Sequence, residues 1–239
     1  MQPQLSPFDG VLLIDKPPGL TSHDVVDRVR RHFGFKKVGH CGTLDPAATG
    51  LLILVLERAT KLQDRLMSDD KAYEGAMLLG VATDSQDADG EVVAEKPVPV
   101  LTPEAIEAVF AKFRGDIQQI PPMVSAVKHH GTPLYKLARK GKTVEREARL
   151  IHVYDLRVLD LALPRIRFRA VCSKGTYVRT LCADIGEVLG CGAHLAELRR
   201  MRSGKFDVKD AHTLEAVFQR TRDQLKECII PILKLAEFV

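Results

Sequence analysis

The stretch Gly39-His40-Cys41-Gly42-Thr43-Leu44-Asp45-Pro46-Ala47-Ala48-Thr49-Gly50, followed by Leu51-Leu52-Ile53-Leu54-Val55-Leu56, decides how this chain is read. Six consecutive apolar residues make a strand of the kind buried on both faces. The preceding segment holds three glycines and a proline, so 38–50 reads as a loop. That loop brings a histidine and an aspartate to a strand entrance, and Pro46 fixes the backbone after Asp45. Asp45 is then open to two readings. One is a carboxylate that caps a turn, the commoner use of a loop aspartate. The other is a partly buried carboxylate placed to do chemistry.

Working outward, Gly10 to Ile14 is a short apolar run stopped by Lys16-Pro17-Pro18-Gly19, a buried strand and then a turn. Thr21 or Ser22 caps a helix with Val25, Val26, Val29 and Phe33 on one face, and Gly34 ends it. Thr60 to Met67 predicts a short helix, Tyr73 to Leu79 a strand, and Asp84 to Gly90 an acidic turn. Thr102-Pro103-Glu104 opens a helix with an N-cap, a proline at its first position and an acid in its first turn. Its apolar face is Ile106, Val109, Phe110 and Phe113, with Gly115 as its end. A strand is expected near Val124 to Val127, then a short helix at Pro133 to Lys140. Val153 to Leu161 and Arg165 to Cys172 predict a hairpin turning near Pro164. A helix over Tyr177 to Leu189, a strand over Leu195 to Met201 and a last helix capped by Thr213 complete the order. No strict β-α-β rhythm is present. The fold class expected is α+β, a mixed and largely antiparallel sheet with flanking helices.

The 239 residues carry 45% hydrophobic and 28% charged side chains, which excludes a disordered or fibrous chain. Folding a chain of this size buries roughly 70% of its extended surface, enough for a core without disulfide or metal staples. The longest apolar run, Leu51 to Leu56, is too short to span a bilayer. Met1 to Asp9 has neither a basic start nor an apolar stretch, so no signal peptide is expected, and a cytoplasmic protein is. The five cysteines include no C-x-x-C pair, which argues against a disulfide framework and a zinc site. His129-His130 has no metal-ligand spacing and reads as surface loop.

The net charge is only +4, but its distribution is uneven. Lys128 to Arg149 holds seven bases against two acids, and Arg199, Arg200, Arg202 and Lys205 form a second cluster. Two such clusters with glycines and few aromatics suggest phosphate-contacting surfaces. Other motifs fail. Aligning Gly90 with the glycine of a calcium loop puts Ser85 and Lys96 at ligand positions that need acids. Gly190-Cys191-Gly192 lacks the third glycine of a dinucleotide fingerprint, since Leu195 stands there. Gly141-Lys142-Thr143 lacks the leading glycine of a phosphate loop, since Lys136 stands there.

The Gly39–Gly50 loop resembles the signature of the bacterial tRNA pseudouridine-55 synthases, the tRNA pseudouridine synthase B family. So do, in order, Val11 to Pro17 (VLLIDKP), Asp70-Lys71-Ala72-Tyr73, Thr83 to Gly90, Gln119 to Lys128, Cys172 to Thr180 (CSKGTYVRT) and Gly190 to Arg200. The similarity runs from about residue 10 to about 215. It implies the pseudouridine synthase fold and isomerisation of the uridine at position 55, in the T arm of tRNA. The N1–C1′ bond is broken, the base is turned, and it is re-bonded through C5. No cofactor and no metal is implied.

On this resemblance Asp45 is the nucleophile, an ionised yet desolvated carboxylate, and Arg179 is the guanidinium that keeps it charged. Tyr73 stacks on the extruded uracil, with its hydroxyl near C5. Tyr177 and Leu198 line the uracil pocket. His40 enters the RNA and fills the gap left by the flipped base, recovering part of the unstacking cost. Lys16 and Lys61 fall on basic positions suited to phosphate contact. Arg139, Lys142 and Arg146 belong to a basic RNA-clasping insertion at about 121–149. The remaining expectations are a single catalytic domain over 1–239, without the C-terminal RNA-binding domain that many relatives carry. The partner expected is the tRNA T stem-loop, with no membrane, no metal and a monomeric state. The alternative is a catalytically silent tRNA-binding or tRNA-folding module on the same scaffold. Intact Asp45, Tyr73 and Arg179 favour the enzyme. A metal-dependent hydrolase finds no ligand set.

Overall fold

Leu51 to Leu56 are all 0% exposed, and their alternation explains how a run with no polar face is accommodated. Leu52, Leu54 and Leu56 point into one core, which also holds Leu12, Ile14, Val25, Val29 and Phe33. Leu51, Ile53 and Val55 point into a second core with Val11, Leu13, Phe206 and Leu235. Successive side chains of a strand face opposite ways, so a two-sided burial needs an uninterrupted apolar run. Each side chain so buried contributes about 1.5–3 kcal/mol. The computed structural model that gives these positions describes residues 5–67, 70–125, 127–129, 131–138 and 140–237.

Two compact units divide the chain, Met1–Tyr73 with Leu198–Val239, and Glu74–Glu197. The strands Lys71–Leu79 and Ala193–Ser203 each change unit partway along. In the first unit, Thr49–Leu56 pairs along its whole length with the antiparallel strand Gly10–Lys16, from Gly10 opposite Leu56 to Lys16 opposite Gly50. Val38–His40 is antiparallel to its outer half. Ala193–Ser203 runs parallel to its first residues, with Arg199 opposite Thr49 and Arg200 opposite Gly50. The helix Ser22–Phe33 begins at a capping box, Thr21 accepting from the Asp24 amide while Asp24 accepts from the Thr21 amide. It lays Val25, Val26, Val29 and Phe33 on the core and ends at Gly34 with φ 63°.

In the second unit the sheet order is Gly115–Gln119, Arg149–Ala162, Arg165–Cys172, then the strand ending at Leu79. Arg149–Ala162 and Arg165–Cys172 form the long hairpin that the sequence predicts. The helices Pro103–Lys112 and Val178–Val188 bury Ile106, Phe110, Leu181 and Ile185. The fold is a mixed, largely antiparallel sheet with helices.

Several local expectations are corrected. Val38–His40 is a strand, not loop, because its amides find the free outer edge of Thr49–Leu56. No strand forms at Val124, Ser125 or Val127. The Ser125 and Val127 carbonyls instead accept from Tyr135 and Leu134 amides, just beyond two prolines that lack a donor for a ladder. The strand lies earlier, at Gly115–Gln119, where the polar GDIQQ hides it. The C-terminal segment also contributes a short strand, Ile229–Pro231, beside Gly10–Leu12.

Candidate active site

Asp45 sits half-buried on a strap between Gly42 and Gly50, and the backbone of that strap is pinned at successive residues. Arg200 donates to the Gly42 carbonyl at 3.1 Å and the Thr43 carbonyl at 3.4 Å. The Ser22 hydroxyl donates to the Leu44 carbonyl at 3.1 Å and accepts from the Leu44 amide at 2.8 Å. The Asp45 carbonyl accepts from the Ala48 amide, and the Pro46 carbonyl from the Gly19 amide. Lys16 Nζ adds a second bond to the Pro46 carbonyl at 3.0 Å. Five consecutive carbonyls are therefore engaged, and Leu44 beside Asp45 is 3% exposed. A side chain carried on such a backbone has few directions open to it.

Lys16 is 0% exposed. Besides Pro46 it donates to the carbonyls of Pro17 at 2.9 Å and Leu20 at 2.7 Å. Phosphate contact by Lys16 is overturned, because its ammonium is spent on three carbonyls inside the fold. Its pKa is pushed down to about 8, by burial first; the Asp45 carboxylate opposes that shift and Arg200 adds to it. Arg200 of the second basic cluster is corrected in the same way. Arg200 is 1% exposed and also donates to the Leu51 carbonyl. Arg199 forms a bidentate pair with Asp15, and Arg202 donates to the Gly204 carbonyl. From sequence, an arginine in a strand cannot be assigned to the core or to solvent when its neighbours are also charged.

His40 ends the Val38–His40 strand, and burial, then Arg200, then His23 hold its imidazole below the usual pKa. A neutral ring is favoured at pH 7. Tyr73, 8% exposed, and the half-buried Leu198 are the two residues of this unit at which the chain passes to the other. Lys61 is exposed and lines a cavity of about 440 Å³ together with Lys36, Lys37 and Arg222.

In the second unit Arg179 is 5% exposed. Its guanidinium donates to the carbonyls of Ser85 at 3.1 Å and Val124 at 2.9 Å and lies 3.3 Å from Asp87 Oδ2. Tyr177 is fixed by Gln119, whose amide group bonds both its N–H and its carbonyl. Asp87 and Gln119 are residues that sequence reasoning missed. The turn Thr83 to Gly90 belongs to the family pattern and fails as a calcium loop, but neither reading gives Asp87 its role, which is to serve a buried arginine. The signal available was an arginine at the start of an apolar helix, which needs an anion. Lys142 is exposed, Arg146 is half-buried and donates to the Pro121 carbonyl at 3.2 Å, and Arg139 lies outside the described residues. Among the described residues, no three His, Cys, Asp or Glu side chains cluster as metal ligands, and no helix is long and apolar enough to cross a membrane.

The mixed, largely antiparallel sheet with its helices is a pseudouridine synthase fold. The chain superposes on the matching chain in the crystal structure of a Cbf5-Nop10-Gar1 complex with a TM-score of 0.77 and 32% identity, over 98% of this chain and 63% of that one. A family model described as TruB family pseudouridylate synthase (N terminal domain) matches residues 30–178. One described as tRNA pseudouridylate synthase B C-terminal domain matches residues 179–235. The chain belongs to the tRNA pseudouridine synthase B family. It is 53% identical to the tRNA pseudouridine synthase B of Opitutus terrae, over 96% of this chain and 95% of the relative. With that of Syntrophotalea carbinolica it shares 49%, over 94% of this chain and 74% of the relative.

Proposed function

We propose that this isomerase converts the uridine at position 55 of the tRNA T arm to pseudouridine, with Asp45 as its nucleophile. The observation that carries the reading is the strap, on which five successive carbonyls are bonded while the Asp45 side chain stays half-buried. Isomerisation exchanges an N1–C1′ bond for a C5–C1′ bond, with one proton lost from C5 and one taken up at N1 from solvent and no net oxidation, so a carboxylate and a proton acceptor suffice. Tyr73 is the acceptor for the C5 proton and stacks on the base. Tyr177 and Leu198 line the uracil pocket. Arg179 has the role of counter-charge that the family resemblance gives it. His40, neutral at pH 7, enters the stack vacated by the flipped base, where an uncharged ring loses least on desolvation. Lys61, Arg139, Lys142 and Arg146 meet phosphates.

Tritium release from C5-labelled uridine in an unmodified tRNA transcript tests the reading. Wild type releases tritium, and Asp45→Asn loses more than 1000-fold in rate, an estimate of about 4 kcal/mol in barrier, while tRNA affinity holds. An Asn variant within about tenfold of wild type, a change of only about 1.4 kcal/mol, removes Asp45 as the nucleophile. Wild type that binds tRNA without releasing tritium is a silent binding module.

A further inference from the structure

Arg200 meets the Asp45 strap at both of its ends. Its backbone lies opposite Gly50, whose φ is 96° and whose missing Cβ would stand 2.4 Å from the Arg200 carbonyl oxygen. Its side chain then reaches the other end, where a Cβ on Gly42, with φ 90°, would stand 3.3 Å from Nη1. Between these contacts the guanidinium bonds the carbonyls of Gly42, Thr43 and Leu51. The group is 1% exposed, and among the described residues its hydrogen bonds go to carbonyls rather than carboxylates. A buried cation held in this way costs stability that an apolar side chain of the same size would not. The fold therefore keeps a residue at this place that packing alone does not favour.

We propose that Arg200 is a positioning residue for the isomerisation: it fixes where Asp45 stands by holding the strap at Gly42 and Thr43 while its own backbone abuts Gly50. The planar fork reaches two successive carbonyls with Nη1 and Nη2 and a third with Nε, which a lysine ammonium cannot match in direction. Ser22 and Lys16 hold the middle of the strap at Leu44 and Pro46. Without Arg200 the segment from Gly42 to Thr43 is free to move, and Asp45 lies two residues on. A displacement of about 1 Å at a reacting group costs about 100-fold in rate.

The inference rests on Asp45 as the nucleophile, and the experiment separates the two. Single-turnover isomerisation and tRNA affinity are measured for Arg200→Met, Arg200→Lys, Asp45→Asn and Val29→Ala, below the melting point of each. Val29 is 0% exposed on the helix Ser22–Phe33 and serves as a stability control. Arg200→Met is expected to lose about 100-fold in rate with affinity within threefold of wild type. Arg200→Lys keeps the charge and most of the volume, and is expected to recover part of the rate, remaining about tenfold below wild type. Val29→Ala is expected to melt lower yet react at the wild-type rate. Arg200 variants at the wild-type rate, or a Val29→Ala loss equal to that of Arg200→Met, overturn the proposal. Should Arg200→Met fail to fold, the rate of Arg200→Lys decides by the same criterion. Asp45→Asn losing its rate beside fully active Arg200 variants overturns this inference alone, whereas an active Asp45→Asn overturns the reading beneath it.

Discussion

Arg179 Nη1 lies 3.3 Å from Asp87 Oδ2, and the two side chains are 5% and 17% exposed. Nη1 also donates to the Ser85 carbonyl and Nη2 to the Val124 carbonyl, so three groups orient the fork. The turn that supplies Asp87 is itself tied down. The Thr83 hydroxyl donates to the Asp87 carbonyl, Thr180 donates to Gln86, and Leu195 accepts from the Ala88 amide while its own amide donates to the Gln86 carbonyl. An acidic turn that looks from sequence like a solvated loop is thus the mount for an arginine on the helix Val178–Val188.

Asp87→Asn keeps the shape and removes the charge opposite that guanidinium. Breaking one side of a buried pair costs about 3–5 kcal/mol, and the partial exposure of Asp87 puts this pair at or below the lower end. Urea melting should show that loss, and single-turnover isomerisation should fall at least tenfold with tRNA affinity retained. Asp89→Asn, two residues along on the exposed part of the turn, should change neither. Equal behaviour of the two variants would remove the mount from the argument.

Lys16 makes a pH-dependent contribution whose sign is fixed. Burial lowers its pKa to about 8 against an ordinary 10.5. Between those values the unfolded chain binds more protons than the folded one, so stability rises with pH across the window. Lys16→Met lacks this term. The melting temperature of wild type relative to Lys16→Met should climb from pH 8 to pH 10.5, and parallel curves would contradict the assignment.

The elements with one strong pattern were legible in the sequence. The double-faced strand Leu51–Leu56 needed only its six apolar residues, and the helix after Thr21 announced its cap, its face and its terminating glycine. Val38–His40 and Gly115–Gln119 were not legible, because short strands with polar or glycine residues owe their pairing to an edge that another part of the chain provides. Asp45 could be singled out only as one of two readings until the family pattern was added. Lys16 and Arg200 were misread for a common reason. Charge is visible in a sequence, but the backbone carbonyls that bury it are not, since they belong to residues distant along the chain.

Two glycines with left-handed backbone separate strain from crowding. Gly19 has φ 83° and open space where a Cβ would stand, whereas a Cβ on Gly50, at φ 96°, would stand 2.4 Å from the Arg200 carbonyl oxygen. Gly19→Ala should cost about 1–2 kcal/mol, the price of the left-handed conformation alone. Gly50→Ala adds overpacking against fixed backbone, for a total of about 2–5 kcal/mol. Denaturant midpoints of the two variants check the difference, and a Gly50→Ala variant no less stable than Gly19→Ala would refute the close approach.

The basic segment offers a prediction that distinguishes two of its residues. Lys142 is exposed, and in the role proposed for it a lysine would meet phosphate as a point charge. Arg146 is half-buried and donates to the Pro121 carbonyl, so part of its guanidinium is committed within the protein. Each phosphate neutralised adds a slope of roughly 0.7 to 0.9 to log affinity against log salt. Lys142→Ala should therefore flatten the slope by close to one such step and weaken tRNA binding at low salt, with the single-turnover rate at saturating tRNA preserved. Arg146→Ala should flatten it less and yet weaken binding at all salt concentrations, because it releases the segment from Pro121. Affinity measured from low to high salt for both variants separates these effects. Identical slopes for wild type and Lys142→Ala would mean that the segment is a solvated loop and that tRNA is held elsewhere.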